Sequence, residues 1–154
     1  MSTRCNIIVK DRFNRRVYLY HHHDGYPEFV GACLADFLGE MQPWQIRRQA
    51  FGIANKLIKG AIRYEHKNLY TGKREVKADD EYEVTSGIHG DIEYLYVINC
   101  KAGTLRCYAV YWSDRGEDND YEVNLRKVLR RDHLVQIPGW DFVPDNQNTA
   151  ISAA

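Results

Sequence analysis

The chain has 154 residues, 44% of them hydrophobic, and its 21 lysines and arginines equal its 21 aspartates and glutamates. Length and composition predict one domain and argue against wholesale disorder. The balanced charge excludes a general positive field, so any nucleic-acid binding would have to be local. No apolar run approaches the roughly 20 residues that span a bilayer, and the start lacks the apolar stretch of a signal peptide. We therefore expect a cytoplasmic protein with no membrane contact.

The first part of the chain is predicted to form a hairpin followed by two helices. Residues 6–10 and 16–23 are rich in β-branched and aromatic side chains, and a polar segment separates them. Apolar residues at helical spacing predict a helix over residues 27–39, with Pro27 at its first position. A second helix is predicted between Pro43 and Gly60. Its inward stripe is expected to comprise Trp44, Phe51, Ala54 and Ile58.

The second part is predicted to be mainly strands. Residues 61–80 show a weak pattern, in which Ile62 and Tyr64 hint at a strand and Thr71-Gly72 resembles a turn. Alternation predicts a half-buried strand over residues 81–84. The clearest hairpin joins 91–99 to 104–112, and its apolar faces indicate central strands. A third helix with inward Val123, Leu125, Val128 and Leu129 follows an acidic loop, and a short apolar segment lies at 134–137.

These elements favour an α+β fold. Strands cluster into hairpins with helices between the clusters, which predicts a mostly antiparallel β-sheet with two or three helices packed on one face. The expected order is β-β-α-α-β-β-β-α. We expect a single domain over residues 1–144 and a flexible tail over 145–154.

The four cysteines lack metal-binding or redox spacing. Cys5, Cys33, Cys100 and Cys107 contain no C-x-x-C pair, so reduced and mostly buried thiols are expected. The chain also lacks a glycine-rich phosphate loop, a nucleophile elbow and a His-Glu-x-x-His motif. We therefore assign no catalytic residue and predict no cofactor.

One dense cluster, residues 21–27 (His-His-His-Asp-Gly-Tyr-Pro), joins the second strand to the first helix. On a strand, His21 and His23 share a face about 6–7 Å apart at Cα, a spacing from which both imidazoles reach one metal ion. With Asp24 as a carboxylate ligand, they would form the site of a metal-dependent hydrolase or nuclease. Alternatively the cluster is a structural turn, because an aspartate before glycine commonly bonds the backbone two residues on.

Aromatic abundance suggests a different function. The chain has 11 tyrosines and three tryptophans, more than one small core accommodates, so some should line an exposed face that contacts a protein. The alternative is that these tyrosines lie half-buried under the helices. A basic helix face carrying Arg126 and Arg130 is either solvated or docks an acidic partner. The resulting candidate binding residues are Tyr18, Tyr20, His22, Asp24, Tyr26, Tyr94, Tyr96, Arg126 and Arg130.

The opening Met-Ser-Thr-Arg and the segment Tyr20 to Gly31, with its His-x-x-Asp-Gly-Tyr-Pro motif, resemble small proteins of bacteriophages and prophages. The resemblance implies a phage accessory factor, and inhibitors of host defence such as anti-CRISPR proteins are one such class. We expect an interaction protein that binds a host or phage protein. Nucleic acid is a possible but less favoured partner, and metal-dependent hydrolysis or small-nucleotide binding beside the histidine turn are the alternatives.

Overall fold

The structure is a computed structural model that describes residues 3–41, 50–115 and 123–130, together with the backbone of 134–135. Its strands are β1 (Cys5–Lys10), β2 (Arg16–His21), β3 (Arg63–Lys67), β4 (Arg74–Ala78), β5 (Tyr82–Thr85), β6 (Tyr94–Asn99), β7 (Thr104–Ala109) and β8 (Leu134–Val135). Its helices are α1 (Ala32–Glu40), α2 (Ala50–Ile58) and α3 (Leu125–Leu129), with a π-helical turn at Pro27–Gly31 and a 3-10 turn at Trp112–Asp114. The predicted α+β class is confirmed.

Six strands form one sheet in the order β5-β2-β1-β6-β7-β8, and β3 pairs with β4 in a separate two-stranded sheet. Among the described pairings, β1 with β6 alone is parallel. The sheet is thus mostly antiparallel, as predicted. The parallel pair arises because the chain between β2 and β6 builds the helices and the small sheet before it returns beside β1.

The large sheet has a core on each face. Successive residues of a strand point to opposite faces, so Ile7 and Val9 pack with α1 and α2, whereas Ile8 packs with Val128 of α3 on the other face. Two helices therefore lie on one face, within the predicted two or three. The third helix covers part of the opposite face.

Several details differ from the predictions. The element order gains the short strand β8 and the hairpin β3–β4, of which the sequence indicated only a strand near Tyr64 and a turn at Thr71-Gly72. The first helix begins with a π-helical turn and continues to Glu40. Phe51 of α2 is exposed, and the inward residues of that helix are Ala50, Ile53, Ala54 and Leu57. The predicted apolar stripe was rotated around the helix relative to the buried one. Only Ala54 belongs to both the predicted stripe and the buried side of α2.

Some predictions fall outside the described residues. These are the start of the second helix with Pro43 and Trp44, most of the acidic loop, and the tail at 145–154 with the domain end at 144. All four cysteines are described and free, as predicted, and burial raises the pKa of the Cys33 thiol to about 11. No helix of the described residues is long and apolar enough to cross a bilayer.

The Asp24-Gly25 turn is held against the sheet by backbone contacts. Asp24 adopts a left-handed conformation with φ of 53°, which aspartate tolerates better than most residues. The Gly25 N–H donates to the Thr3 carbonyl at 2.9 Å, and the Gly25 carbonyl accepts from the buried Tyr96 hydroxyl at 2.7 Å. A Cβ at Gly25 would lie 2.9 Å from the Cβ of Cys5. The motif Asp-Gly-Tyr-Pro therefore has a structural role.

Replacing Gly25 tests this packing. Gly25→Ala forces the new methyl group into β1, so we expect the free energy of unfolding to fall by about 1–3 kcal/mol in urea denaturation. Gly39→Ala is the matched control, since a Cβ there meets nothing within 4 Å. Helix propensity predicts that this control gains up to about 1 kcal/mol. Equal stability of the Gly25 variant and the parent would contradict the close contact.

Candidate functional site

The β3–β4 hairpin projects from the body as an arm, which we call the β-arm (residues 63–78). Its strands pair with each other and with no described strand of the large sheet. Every residue of β4 is exposed, and β3 alternates between exposed and half-buried residues. On the half-buried side, the Tyr64 ring packs edge-on against Phe29 at 5.3 Å between centroids. One face of the β-arm therefore rests on the body and the other faces solvent.

The tip of the β-arm is a well-ordered turn. The Asn68 side-chain oxygen accepts from the backbone N–H of Tyr70 at 2.8 Å and of Thr71 at 3.2 Å. The Asn68 N–H donates to the Lys73 carbonyl, and the Asn68 carbonyl accepts from the Gly72 N–H, both at 2.8 Å. Gly72 adopts the left-handed φ of 71° that the turn requires. The turn predicted at Thr71-Gly72 is thus present and fixed by at least four hydrogen bonds.

This ordered tip displays apolar side chains to solvent. Leu69 is 91% exposed and Tyr70 is 100% exposed, and Val76 on the outer face is 62% exposed. Scattered exposed apolar residues are ordinary, but two adjacent ones on a rigid projection form a ready contact surface. Because the turn is already ordered, binding through it would lose little conformational entropy.

The β-arm also concentrates positive charge. It carries five basic residues against two acidic ones, although the whole chain is neutral. Arg74 contacts Glu65 at 3.4 Å, and both side chains are exposed. The basic residues are Arg63, Lys67, Lys73, Arg74 and Lys77, and all are exposed.

The root of the β-arm is anchored by a buried contact. His21 at the end of β2 and Asp79 directly after β4 are 1% and 3% exposed. The His21 Nε2 atom lies 2.8 and 3.0 Å from the two carboxylate oxygens of Asp79. The Asp79 N–H also donates to the Ile62 carbonyl at 2.8 Å, which closes the hairpin at its base. This contact fixes where the β-arm leaves the body.

The other two histidines of the cluster also face carboxylates. Glu83 lies 2.9 Å from the Nε2 atom of the exposed His22, and Glu81 lies 3.7 Å from the Nδ1 atom of His23. Glu81 also approaches His21 at 3.9 Å. The alternating acidic residues of 79–83 thus form a row opposite the three histidines.

One group within this row could hold a metal ion. Ligand atoms of His21, Asp79 and Glu81 all lie within 4.8 Å of one another, and no other such group occurs in the described residues. The structure therefore joins His21 of the predicted metal triad to Asp79 and Glu81. Asp24 lies outside the group, exposed on the left-handed turn. His23 is also outside the group, and its Nδ1 atom lies 3.7 Å from Glu81.

Comparison with known proteins gave no match. No family model, no curated protein and no solved structure matches this chain.

The tyrosines predicted to form a binding face are mostly inside. Tyr20 and Tyr96 are buried in the cores on opposite faces of the sheet, and Tyr18 and Tyr94 are half-buried beside them. The Tyr20 hydroxyl donates to Asp91 at 2.9 Å, and its ring contacts His22 at 4.5 Å and His89 at 4.2 Å. Two cores accommodate more aromatic side chains than the one core assumed from the sequence. These tyrosines therefore offer no exposed platform.

The remaining predicted binding residues are dispersed. Tyr26 is half-buried before the π-helical turn, with its ring 6.5 Å from that of Phe29. Arg126 and Arg130 are exposed at α3, on the sheet face away from α1 and α2. The exposed tip residues Leu69 and Tyr70 were missed because they lie in a turn, where no hydrophobic period indicates which side chains are exposed.

The negative charge of Asp79 influences neighbouring groups. Burial, and then the Asp79 carboxylate, raise the pKa of the Tyr82 hydroxyl and of the half-buried Cys33 thiol. No lysine or arginine of the described residues pairs with Asp79, and His21 is its partner. Cys33 packs against the core on the α1 and α2 face of the sheet, and a thiol with a raised pKa is a poor nucleophile at neutral pH.

Proposed function

We propose that this protein acts by binding another protein, and that the β-arm is its principal contact. The observation that carries the proposal is the pair Leu69 and Tyr70, 91% and 100% exposed on a hydrogen-bonded turn. Tyrosine is among the residues that contribute most to protein interfaces when it enters an apolar pocket. The β-arm, and not the tyrosine-rich sheet face expected from the sequence, is the surface that supports this function.

The chemistry of the β-arm defines the partner. An apolar cleft would receive Leu69 and Tyr70, and an acidic rim would face the basic residues along the hairpin. Nucleic acid fits less well, because Leu69 and Val76 add apolar surface that a phosphate backbone does not match. Glu65 and Glu75 also interrupt the positive charge along the strands.

A tip variant tests the contact. We expect Leu69→Ser combined with Tyr70→Ser to leave the fold intact, since both side chains are exposed, and to weaken partner binding roughly 30-fold or more. Partners would first be trapped with a photo-crosslinking residue at position 70, identified by mass spectrometry, and then titrated against both forms.

The matched control is Phe51→Ser, which removes an exposed aromatic side chain from α2. It should bind the trapped protein like the parent. Two results would contradict the proposal: unchanged affinity of the tip variant, or preferential capture of duplex DNA with a steep dependence on salt.

We further propose that the protein is a phage accessory factor in the host cytoplasm, and that its binding inhibits a host defence system in the manner of an anti-CRISPR protein. Support comes from the N-terminal resemblance to phage proteins and from the small size of the chain. Expression of the parent should restore plaque formation by a phage that CRISPR immunity targets, and the tip variant should not. Equal plaque counts with and without the chain would contradict this role.

A metal-dependent function is the second candidate, and the group His21, Asp79 and Glu81 favours it. One imidazole nitrogen and two carboxylates are ligands that zinc and manganese accept. His23 would then orient Glu81 through the other carboxylate oxygen, as partners of ligands commonly do.

Elemental analysis of untagged protein tests this second candidate. A metal site predicts about one zinc or manganese per chain, lost on Glu81→Gln because a ligand oxygen is replaced. Glu83→Gln is the control, since Glu83 faces His22 outside the group. Protein free of metal after incubation with zinc or manganese, or equal metal content in both variants, would exclude the site.

A further inference from the structure

A cavity of about 300 Å³ lies on the α3 face of the large sheet, and none of the residues that line it belongs to the β-arm. Its volume is at the lower end of the range of small-molecule sites. The residues that line it are Ile8, Lys10, Arg16, Val97, Asn99, Ala102, Thr104, Arg106, Tyr108 and Leu129. Three of these are basic and none is acidic.

Strand register explains how the basic side chains meet. Arg16 of β2 lies directly opposite Lys10 of β1, and Lys10 lies beside Asn99 of β6. Arg106 of β7 lies opposite Val97 in the adjoining row. Residues directly paired across strands point to the same face, so Arg16, Lys10 and Arg106 all lie on the face of the sheet that carries the cavity.

Among the described residues, two like charges face each other at one end of this cavity without an acidic partner. Like charges directly opposite each other on neighbouring strands destabilise a sheet. Neither basic residue of the pair has a described acidic partner, because the neighbouring Asp11 is engaged by Arg15 at 2.9 Å and by the backbone N–H groups of Phe13 and Arg15. An anion between Lys10 and Arg16 would remove the repulsion.

The remaining lining suits the rest of such a ligand. The Asn99 side-chain oxygen accepts from the N–H groups of Lys101 and Ala102. Its amide N–H group is therefore the part of the side chain that can donate to a ligand. Ile8, Val97 and Tyr108 provide an apolar floor between the strands. Lys10 and Arg16 lie at one end of the apolar floor and Arg106 lies across it on β7, which matches a molecule with phosphate groups and an apolar or planar body.

We propose that this cavity binds a small phosphorylated molecule of the nucleotide class, with Lys10, Arg16 and Arg106 holding the phosphates. The site is separate from the histidine turn, where the sequence had suggested nucleotide binding, and it does not depend on the β-arm. Binding here would connect the protein to a cellular nucleotide independently of its protein partner.

The experiment uses the full chain and the probes ADP, pyrophosphate and adenosine in calorimetric titrations. ADP should bind at one site per chain, pyrophosphate more weakly and adenosine least, because phosphate supplies the charge and the base adds apolar contact. Arg106→Gln and Arg16→Gln should each weaken ADP binding about 10- to 100-fold, as expected for a lost charge-assisted hydrogen bond. Arg74→Gln on the β-arm, also an exposed arginine, is the matched control and should bind ADP like the parent.

A second measurement separates ligand binding from folding. Without ADP, Arg16→Gln should melt at the same temperature as the parent or higher, since it removes a like-charge pair. Saturating ADP should then raise the melting temperature of the parent more than that of this variant. Failure of ADP to bind at a single site, an equal loss in Arg74→Gln, or tighter binding of a single-stranded oligonucleotide than of ADP would each overturn the proposal.

Discussion

The buried contact between His21 and Asp79 is the interaction on which the arrangement of this protein depends. It connects the end of β2 to the residue that follows the β-arm, 58 positions later in the chain. Asp79 has no described lysine or arginine partner, and besides His21 the Glu81 N–H donates to one of its carboxylate oxygens at 3.2 Å. Removing the imidazole would therefore leave the other buried oxygen without a partner, which costs about 1–3 kcal/mol. The same contact sets β5 beside β2 and fixes the root of the β-arm. The position of the β-arm thus relies on a hydrogen bond at its base.

The two-sided sheet explains why an aromatic-rich sequence need not have an aromatic surface. Tyr96 packs under α1 and α2, whereas Tyr20 and Tyr108 pack on the face that α3 partly covers. The hydroxyl groups of Tyr96 and Tyr20 find acceptors within the protein, the Gly25 carbonyl and the Asp91 carboxylate. The aromatic residue best placed for recognition is therefore Tyr70, which the turn at Asn68 holds in solvent.

Sequence patterns predicted those parts of the fold whose partners are close along the chain. The hairpins β1–β2 and β6–β7 join strands that are close together along the chain, and the residue pattern reveals such pairs. The Asp24-Gly25 turn was predicted from its residue types, although Thr3 and the distant Tyr96 hold it in place. Of the β-arm, the sequence indicated only a strand near Tyr64 and the turn at Thr71-Gly72, because every residue of β4 is exposed and shows no alternation. The partner of His21 was missed because Asp79 lies in a segment without clear periodicity. The acidic run 79–83 was visible, but its pairing with the histidines depends on the register of β5 against β2.

The net charge of zero results from separate basic and acidic regions of this surface. Positive charge gathers on the β-arm and around the cavity with Arg16 and Arg106, while carboxylates gather opposite the histidines. Screening in physiological salt reduces such fields beyond about 8 Å, so each region acts on molecules that touch it and not on distant polyanions. A neutral chain can therefore hold a basic arm and a basic cavity without a general attraction to nucleic acid. The local distribution of charge, and not the total, sets the field that each region presents to a molecule in contact with it.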